Sequence, residues 1–317
     1  MSGGLPFAGI ATFLGWPASD GAPPAAPGGR QLVAIGAPYD EGTPYRPGSR
    51  LAPAALRQAS MRLRFASADG LGFFDVERRR EVVLADLAWD AGDVEIWPGD
   101  QAASFAAIEA AVGAARAVGA IPVLLGGDNS VTLPSLRGLG APAAVVVQFD
   151  AHLDYGESYF GSPDGNSTPL RRSRREGLCA QVLHLGIRGY DNAAAALADS
   201  EADGNVVVTA AGCRRGEALA AIEALAPGTA VYVSLDIDVV DPALAPGTGY
   251  PEPGGLDYPL LRSLLLAVGE RCELLGCELV EVSPPYDADG VTALLGTQLL
   301  IDLLAAAAPP GPNQEVR

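Results

Sequence analysis

Two apolar runs that each end in carboxylates at alternate positions constrain this chain more than anything else in it. In VVVQFDAHLD, Val145 to Asp154, a β-branched run delivers Asp150, His152 and Asp154 where a buried parallel strand passes into its loop. Open α/β sheets place their chemistry at that edge. An isolated Asp-x-His-x-Asp carries little weight, because acidic loop residues commonly cap helices or face water. The second run, AVYVSLDIDVVDP, Ala230 to Pro242, presents Asp236 and Asp238 in the same way. Two carboxylates one residue apart on an extended chain point to the same side. Like charges so placed repel unless a cation or a shared proton lies between them.

The rest of the chain alternates strand and helix signals. Strands are expected at RQLVAIGA from Arg30, VVLAD (Val82 to Asp86), Ile121 to Leu125, QVLHLGIRG, NVVVTA and LLGCELVEVSPP, about eight in all with the two runs above. Helices are expected at Ala54 to Ser60, Ser104 to Val118 and Gly290 to Leu304, and VVLAD precedes WDAGDV. GGDNS, Gly126 to Ser130, follows a strand and turns Asp128 and Asn129 outward. Glu281 stands at another strand end. A long polar loop after Asp154 leads into an arginine-rich helix, where a solvated or subunit-facing surface is a better expectation than an acidic partner. His184 lies inside an apolar strand and reads as a satisfied core histidine. Residues 1–30, rich in Gly, Ala and Pro, predict an extended or disordered arm, and residues 31–317 one α/β domain.

Composition narrows the chemistry. The net charge of −17 disfavours nucleic acid and anionic membrane surfaces and favours cationic ligands by long-range steering. All 21 basic residues are arginine, which eliminates a lysine Schiff base and a Walker lysine. The four cysteines form no Cys-x-x-Cys pair and suit reduced core thiols. No run reaches the length of a membrane span and no basic residue precedes Arg30, so a cytoplasmic protein is expected.

Collected, the candidates are Asp150, His152, Asp154, Asp236 and Asp238, with Asn129 and Glu281 nearby. Four carboxylates and one imidazole make a hard, oxygen-rich site that suits Mn²⁺ better than a structural zinc. Two metals sharing bridging carboxylates would lower the pKa of a water between them to near neutrality.

The motifs TFLGWP, IGAPYDEGTPYRPGSRLAPAALR, GGDNS, FDAHLD, STPLRRS, GIRG, SLDIDVVDPALAPGTGYPEPGGL and EVSPPYD together resemble the ureohydrolase family of arginases and agmatinases, nearest its agmatinase, guanidinobutyrase and proclavaminate amidinohydrolase branch. The resemblance implies a three-layer α/β/α domain with a doubly wound, eight-stranded parallel sheet, assembled as a homotrimer or homohexamer. It implies that Asp150 and Asp236 bridge two Mn²⁺ ions, that Asp154 completes one site and His152 with Asp238 the other. Asp154 would also move a proton to the departing amine, and Glu281 would hold the substrate guanidinium, so that hydrolysis yields urea. Two positions depart from the family: Asn129 stands where GGDHS has its metal-binding histidine, and Asn166 where SHGTPF has a proton-shuttling one. Retention of the five remaining ligands and Glu281 still leads to an expectation of hydrolysis of a small guanidino compound, because an idle cluster of carboxylates costs stability; the alternatives are a metal-poor structural or regulatory subunit beside a paralogue, and altered chemistry on a guanidine or amide. Gly156 replaces the asparagine with which arginases grip the amino-acid end of their substrate, so an ordinary arginase is disfavoured. Tyr250, in a commonly small position, is expected to shape the far end of the pocket or simply to pack.

Overall fold

The strand that carries the first acidic run is buried along nearly its whole length, as its β-branched sequence requires. The computed structural model describes residues 9–19, 29–67 and 69–308. Its strands are β1 (Gln31–Gly36), β2 (Gly72–Asp75), β3 (Arg80–Val83), β4 (Leu87–Asp93), β5 (Ile121–Leu125), β6 (Ala143–Phe149), β7 (Cys179–Ile187), β8 (Val206–Thr209), β9 (Ala230–Asp236) and β10 (Glu273–Val280). The helices are α1 (Ala52–Ser60), α2 (Gln101–Ala117), α3 (Thr132–Gly138), α4 (Pro169–Arg175), α5 (Ala194–Ala202), α6 (Ala210–Arg214), α7 (Glu217–Ala224), α8 (Tyr258–Arg271) and α9 (Val291–Ala306).

Eight strands form one parallel sheet in the order β4-β1-β5-β10-β9-β6-β7-β8. This is the doubly wound, three-layer arrangement expected. Successive side chains of a strand enter opposite layers: in β6, Val145, Val147 and Phe149 join the core beneath α1, α8 and α9, while Val146 joins the core beneath α2 and α3. The four central strands end level with one another, since Leu125 lies opposite Leu279, Val280 opposite Asp236, and Leu235 opposite Phe149. The loops after β5, β10, β9 and β6 therefore leave the sheet side by side. No helix among the described residues is long and apolar enough to cross a membrane.

Two expectations need correction. VVLAD is not a strand of the main sheet: Arg80–Val83 pairs antiparallel with Gly72–Asp75 in a separate ribbon, and the strand beside β1 is Leu87–Asp93, which includes most of WDAGDV. Asp90, a poor strand residue by composition, is accommodated because this is an edge strand and because Arg57 Nε and Nη2 reach its two oxygens at 2.8 and 2.9 Å. The Gly/Ala/Pro-rich arm is not extended throughout. Residues 1–8 and 20–28 lie outside the described residues, but Phe13, Leu14 and Trp16 are buried in the core. The Phe13 N–H donates to Asp90 at 2.7 Å and the Trp16 indole to the Gly70 carbonyl at 3.0 Å. Burial of three large apolar side chains, at roughly 1.5–3 kcal/mol each, outweighs the loop-forming composition around them.

Candidate metal centre and substrate cavity

The loop after β6 curls so that its first carboxylate turns back into the protein. Asp150 accepts the His152 N–H on Oδ1 and the Gln148 side-chain N–H on Oδ2, the latter at 2.7 Å. His152 Nδ1 lies 3.0 Å from Asp238 Oδ2 and 3.5 Å from Asp150 Oδ1. The loop after β9 is tied to that loop: Asp238 Oδ1 accepts the Ala151 N–H at 3.0 Å, and Asp236 Oδ1 accepts the Asp238 N–H at 2.8 Å. Asp154 and Glu281 both sit at positive φ, 47° and 60°, a conformation that costs energy and clusters at functional sites. Glu281 Oε1 accepts the Asn129 backbone N–H at 2.9 Å, which couples the loop after β10 to the loop after β5.

That last loop depends on glycine. Gly127 has φ +88°, and a Cβ there would lie 2.8 Å from the Ala37 carbonyl oxygen. The turn delivers Asp128, which accepts the Gly42 N–H at 2.8 Å and fastens the loop after β1, and then Asn129. The Asn129 side chain presents Nδ2 to Asp154, and at 3.5 Å to Asp150, while its Oδ1 accepts the Thr132 hydroxyl at 2.9 Å.

Of these groups, Asn129, His152, Asp154, Asp236, Asp238 and Glu281 line one cavity of about 180 Å³ together with Asn166, Gly156, Tyr159, Asp191 and Tyr250. Asn166 hydrogen-bonds Glu281, and its own Oδ1 is buried without a partner among the described residues. The Tyr250 hydroxyl is 3.2 Å from that of Tyr159, and its ring stands 6.1 Å from the His152 ring. All ten sequence-nominated residues thus line the cavity or, for Asp150, lie directly behind its wall. Sequence reasoning passed over the residues that hold them. Arg188 Nη2 donates to the Asp238 and Glu252 carbonyls at 2.6 and 2.7 Å, and Asn192 Oδ1 accepts the Leu153 N–H at 2.9 Å. The polar Gln148, inside an otherwise apolar run next to Asp150, was the signal available for a supporting partner. The arginine-rich α4 is braced within the chain, Arg172 to Asp164 at 2.9 Å and Arg171 to Asp199 at 2.5 Å.

Burial and mutual repulsion dominate the electrostatics of the cluster. Burial, reinforced by the Asp238 charge, raises the Asp150 carboxyl to about 6. Burial first and neighbouring carboxylates second push Asp154, Asp236 and Glu281 well above the usual range. His152 is pushed well up by Asp238 and Asp150 in spite of its burial, and it in turn draws Asp238 below the ordinary value against burial. One donor atom from each of Asp150, His152 and Asp238 falls within 4.8 Å of the others, and His152 Nε2 has no partner among the described residues. Two carboxylates and an imidazole so placed fit a hard or borderline divalent ion, which would relieve the mutual repulsion.

Comparison with known proteins agrees with this geometry. The chain is 37% identical over 287 residues to proclavaminate amidinohydrolase of Streptomyces clavuligerus, covering 88% of each chain. It is 37% identical over 313 residues to guanidinopropionase of Pseudomonas aeruginosa, covering 95% of this chain and 93% of that one. The solved structure of the Streptomyces clavuligerus amidinohydrolase superposes with a TM-score of 0.81 at 34% identity, covering 95% of this chain and 98% of that one. Residues 30–306 match the arginase family, and with these relatives and this fold the chain belongs to it.

Proposed function

We propose that the protein hydrolyses a small guanidino compound to urea and an amine, using Mn²⁺ held by Asp150, His152 and Asp238, with Asp236 and Asp154 beside them. The observation that carries this reading is that a three-donor cation site and the buried Glu281 carboxylate share one small cavity in an arginase-family chain. A divalent ion there acidifies water and stabilises negative charge as it develops. Glu281, with no basic side chain bonded to it among the described residues, accepts the substrate guanidinium in a charge-assisted pair. The unpartnered Asn166 Oδ1 takes a further guanidinium N–H. Water adds to the guanidinium carbon, the C–N bond to the leaving amine breaks, and the amine takes up a proton that Asp154 is placed to carry. Tyr250, Tyr159 and Gly156 border the far end, where the substrate tail lies.

One observation favours the metal-poor subunit as a second reading: Asn129 turns an amide N–H, rather than its oxygen, toward Asp154 and Asp150. Metal content per chain after purification in Mn²⁺, paired with urea release from a panel of guanidino compounds, decides between them. Hydrolysis predicts about one or two ions and a urea-yielding substrate, with both lost in Asp238→Ala. A chain without metal that releases urea only beside a co-purified paralogue is the subunit. Assembly as a homotrimer or homohexamer belongs to the first reading, and sedimentation of the purified chain tests it.

A further inference from the structure

The Thr132 hydroxyl touches two oxygens, Asn129 Oδ1 at 2.9 Å and Glu278 Oε1. It owns one hydrogen and cannot donate to both. Glu278, on β10, is fully buried, and its Oε2 accepts the Tyr232 hydroxyl at 2.7 Å. Ser234 also hydrogen-bonds to it, and the titratable side chains beside it, Tyr232 and Cys277, are kept neutral by burial.

Two assignments satisfy every group. In the first, Glu278 carries a proton and donates it to Thr132, Thr132 donates to Asn129 Oδ1, and Nδ2 is left facing Asp154 and Asp150. In the second, Glu278 is ionised and receives the Thr132 hydrogen. Thr132 then accepts from Asn129 Nδ2, and the amide, turned about its last bond, offers Oδ1 to the two carboxylates. Oxygen against carboxylate repels unless a cation lies among them, and with one it completes an all-oxygen donor set. The turn requires no backbone movement, because the Asn129 N–H stays on Glu281.

We propose that Thr132 and Glu278 are positioning residues that set which end of the Asn129 amide faces Asp150 and Asp154, and thereby whether a second cation is held there. The inference rests on the metal-dependent reading above. Burial lifts the Glu278 carboxyl to about 6 against the pull of its three hydroxyl partners, so both forms are within reach near neutrality.

Mn²⁺ binding isotherms of the intact protein, with free Mn²⁺ read by its EPR signal, test this without recourse to turnover. Wild type binds two ions, the second more weakly. Glu278→Gln keeps the side-chain shape but supplies a permanent N–H donor to Thr132, so the second ion weakens at least tenfold while the first stays within twofold. Tyr232→Phe removes one donor that favours ionised Glu278 and weakens the second ion severalfold, which covers the case in which Glu278→Gln does not fold. Asn129→Asp offers oxygen at both ends, so in that background neither change alters either affinity. Unchanged affinities in Glu278→Gln, an equal loss in the Asn129→Asp background, or a wild type that binds a single ion overturns the inference. A wild type that binds none overturns the functional reading as well.

Discussion

At the scale of single residues, the metal-site geometry depends on groups that touch no substrate. Gln148 holds Asp150 Oδ2 at 2.7 Å and is itself oriented by His184, whose Nδ1 meets Gln148 Oε1 and whose Nε2 meets Ser200 Oγ at 2.9 Å. Since Gln148 Oε1 only accepts, a proton sits on His184 Nδ1, and burial keeps the imidazole neutral. Gln148→Met leaves that Asp150 oxygen short of a donor, and the first Mn²⁺ ion is expected to bind about 10–100-fold more weakly, as losses of supporting partners generally do. Binding titration checks this; an unchanged affinity would falsify the role. His184 also fixes a pH dependence. Burial lowers its pKa from 6.5 to about 3, so the unfolded chain binds the proton that the folded chain refuses. Stability from this group is complete above pH 6.5 and is lost as pH falls toward 3. Between pH 7 and pH 5 the loss is roughly 2 kcal/mol, and it should be absent from the same pH comparison in His184→Gln, measured by chemical denaturation.

At the scale of elements, the edge of the sheet is sealed by a segment that composition assigned to a tail. Asp90 on β4 receives Arg57 from α1 and the Phe13 N–H from residues 9–19, so one buried ion pair joins three parts of the chain. Arg57→Ala strands Asp90 in the interior and is expected to cost on the order of 3–5 kcal/mol. Denaturant unfolding measures the loss, and faster proteolysis near residues 9–19 should accompany it; a variant as stable as wild type would show that water replaces the arginine. The paired runs at β6 and β9 were legible because a buried parallel strand is apolar along most of its length, which makes alternating carboxylates at its end conspicuous. β4 was not legible for the converse reason. An edge strand tolerates Asp and Gly, and the more apolar Val82 and Val83 before it belong to the small antiparallel ribbon.

For the whole molecule, the net charge of −17 and a cavity wall whose charged groups are carboxylates and a histidine create a field that attracts cations. The kcat/KM for a guanidinium substrate is expected to fall severalfold between about 0.05 and 0.5 M salt, with kcat nearly unchanged, since screening acts on encounter. A salt-independent kcat/KM would place the useful field inside the cavity alone. What the sequence by itself determined was the sheet, its loaded edge and the identity of the clustered side chains, because strand periodicity and acidic strand ends are local signals. Tertiary structure alone decided the rest. The side-by-side order of β5, β10, β9 and β6 brings residues more than a hundred positions apart into one cavity. The supporting contacts of Gln148, Arg188 and Thr132, and the atom that Asn129 turns toward the carboxylates, follow from which donors and acceptors meet in that buried space, and residue spacing along the chain does not encode them.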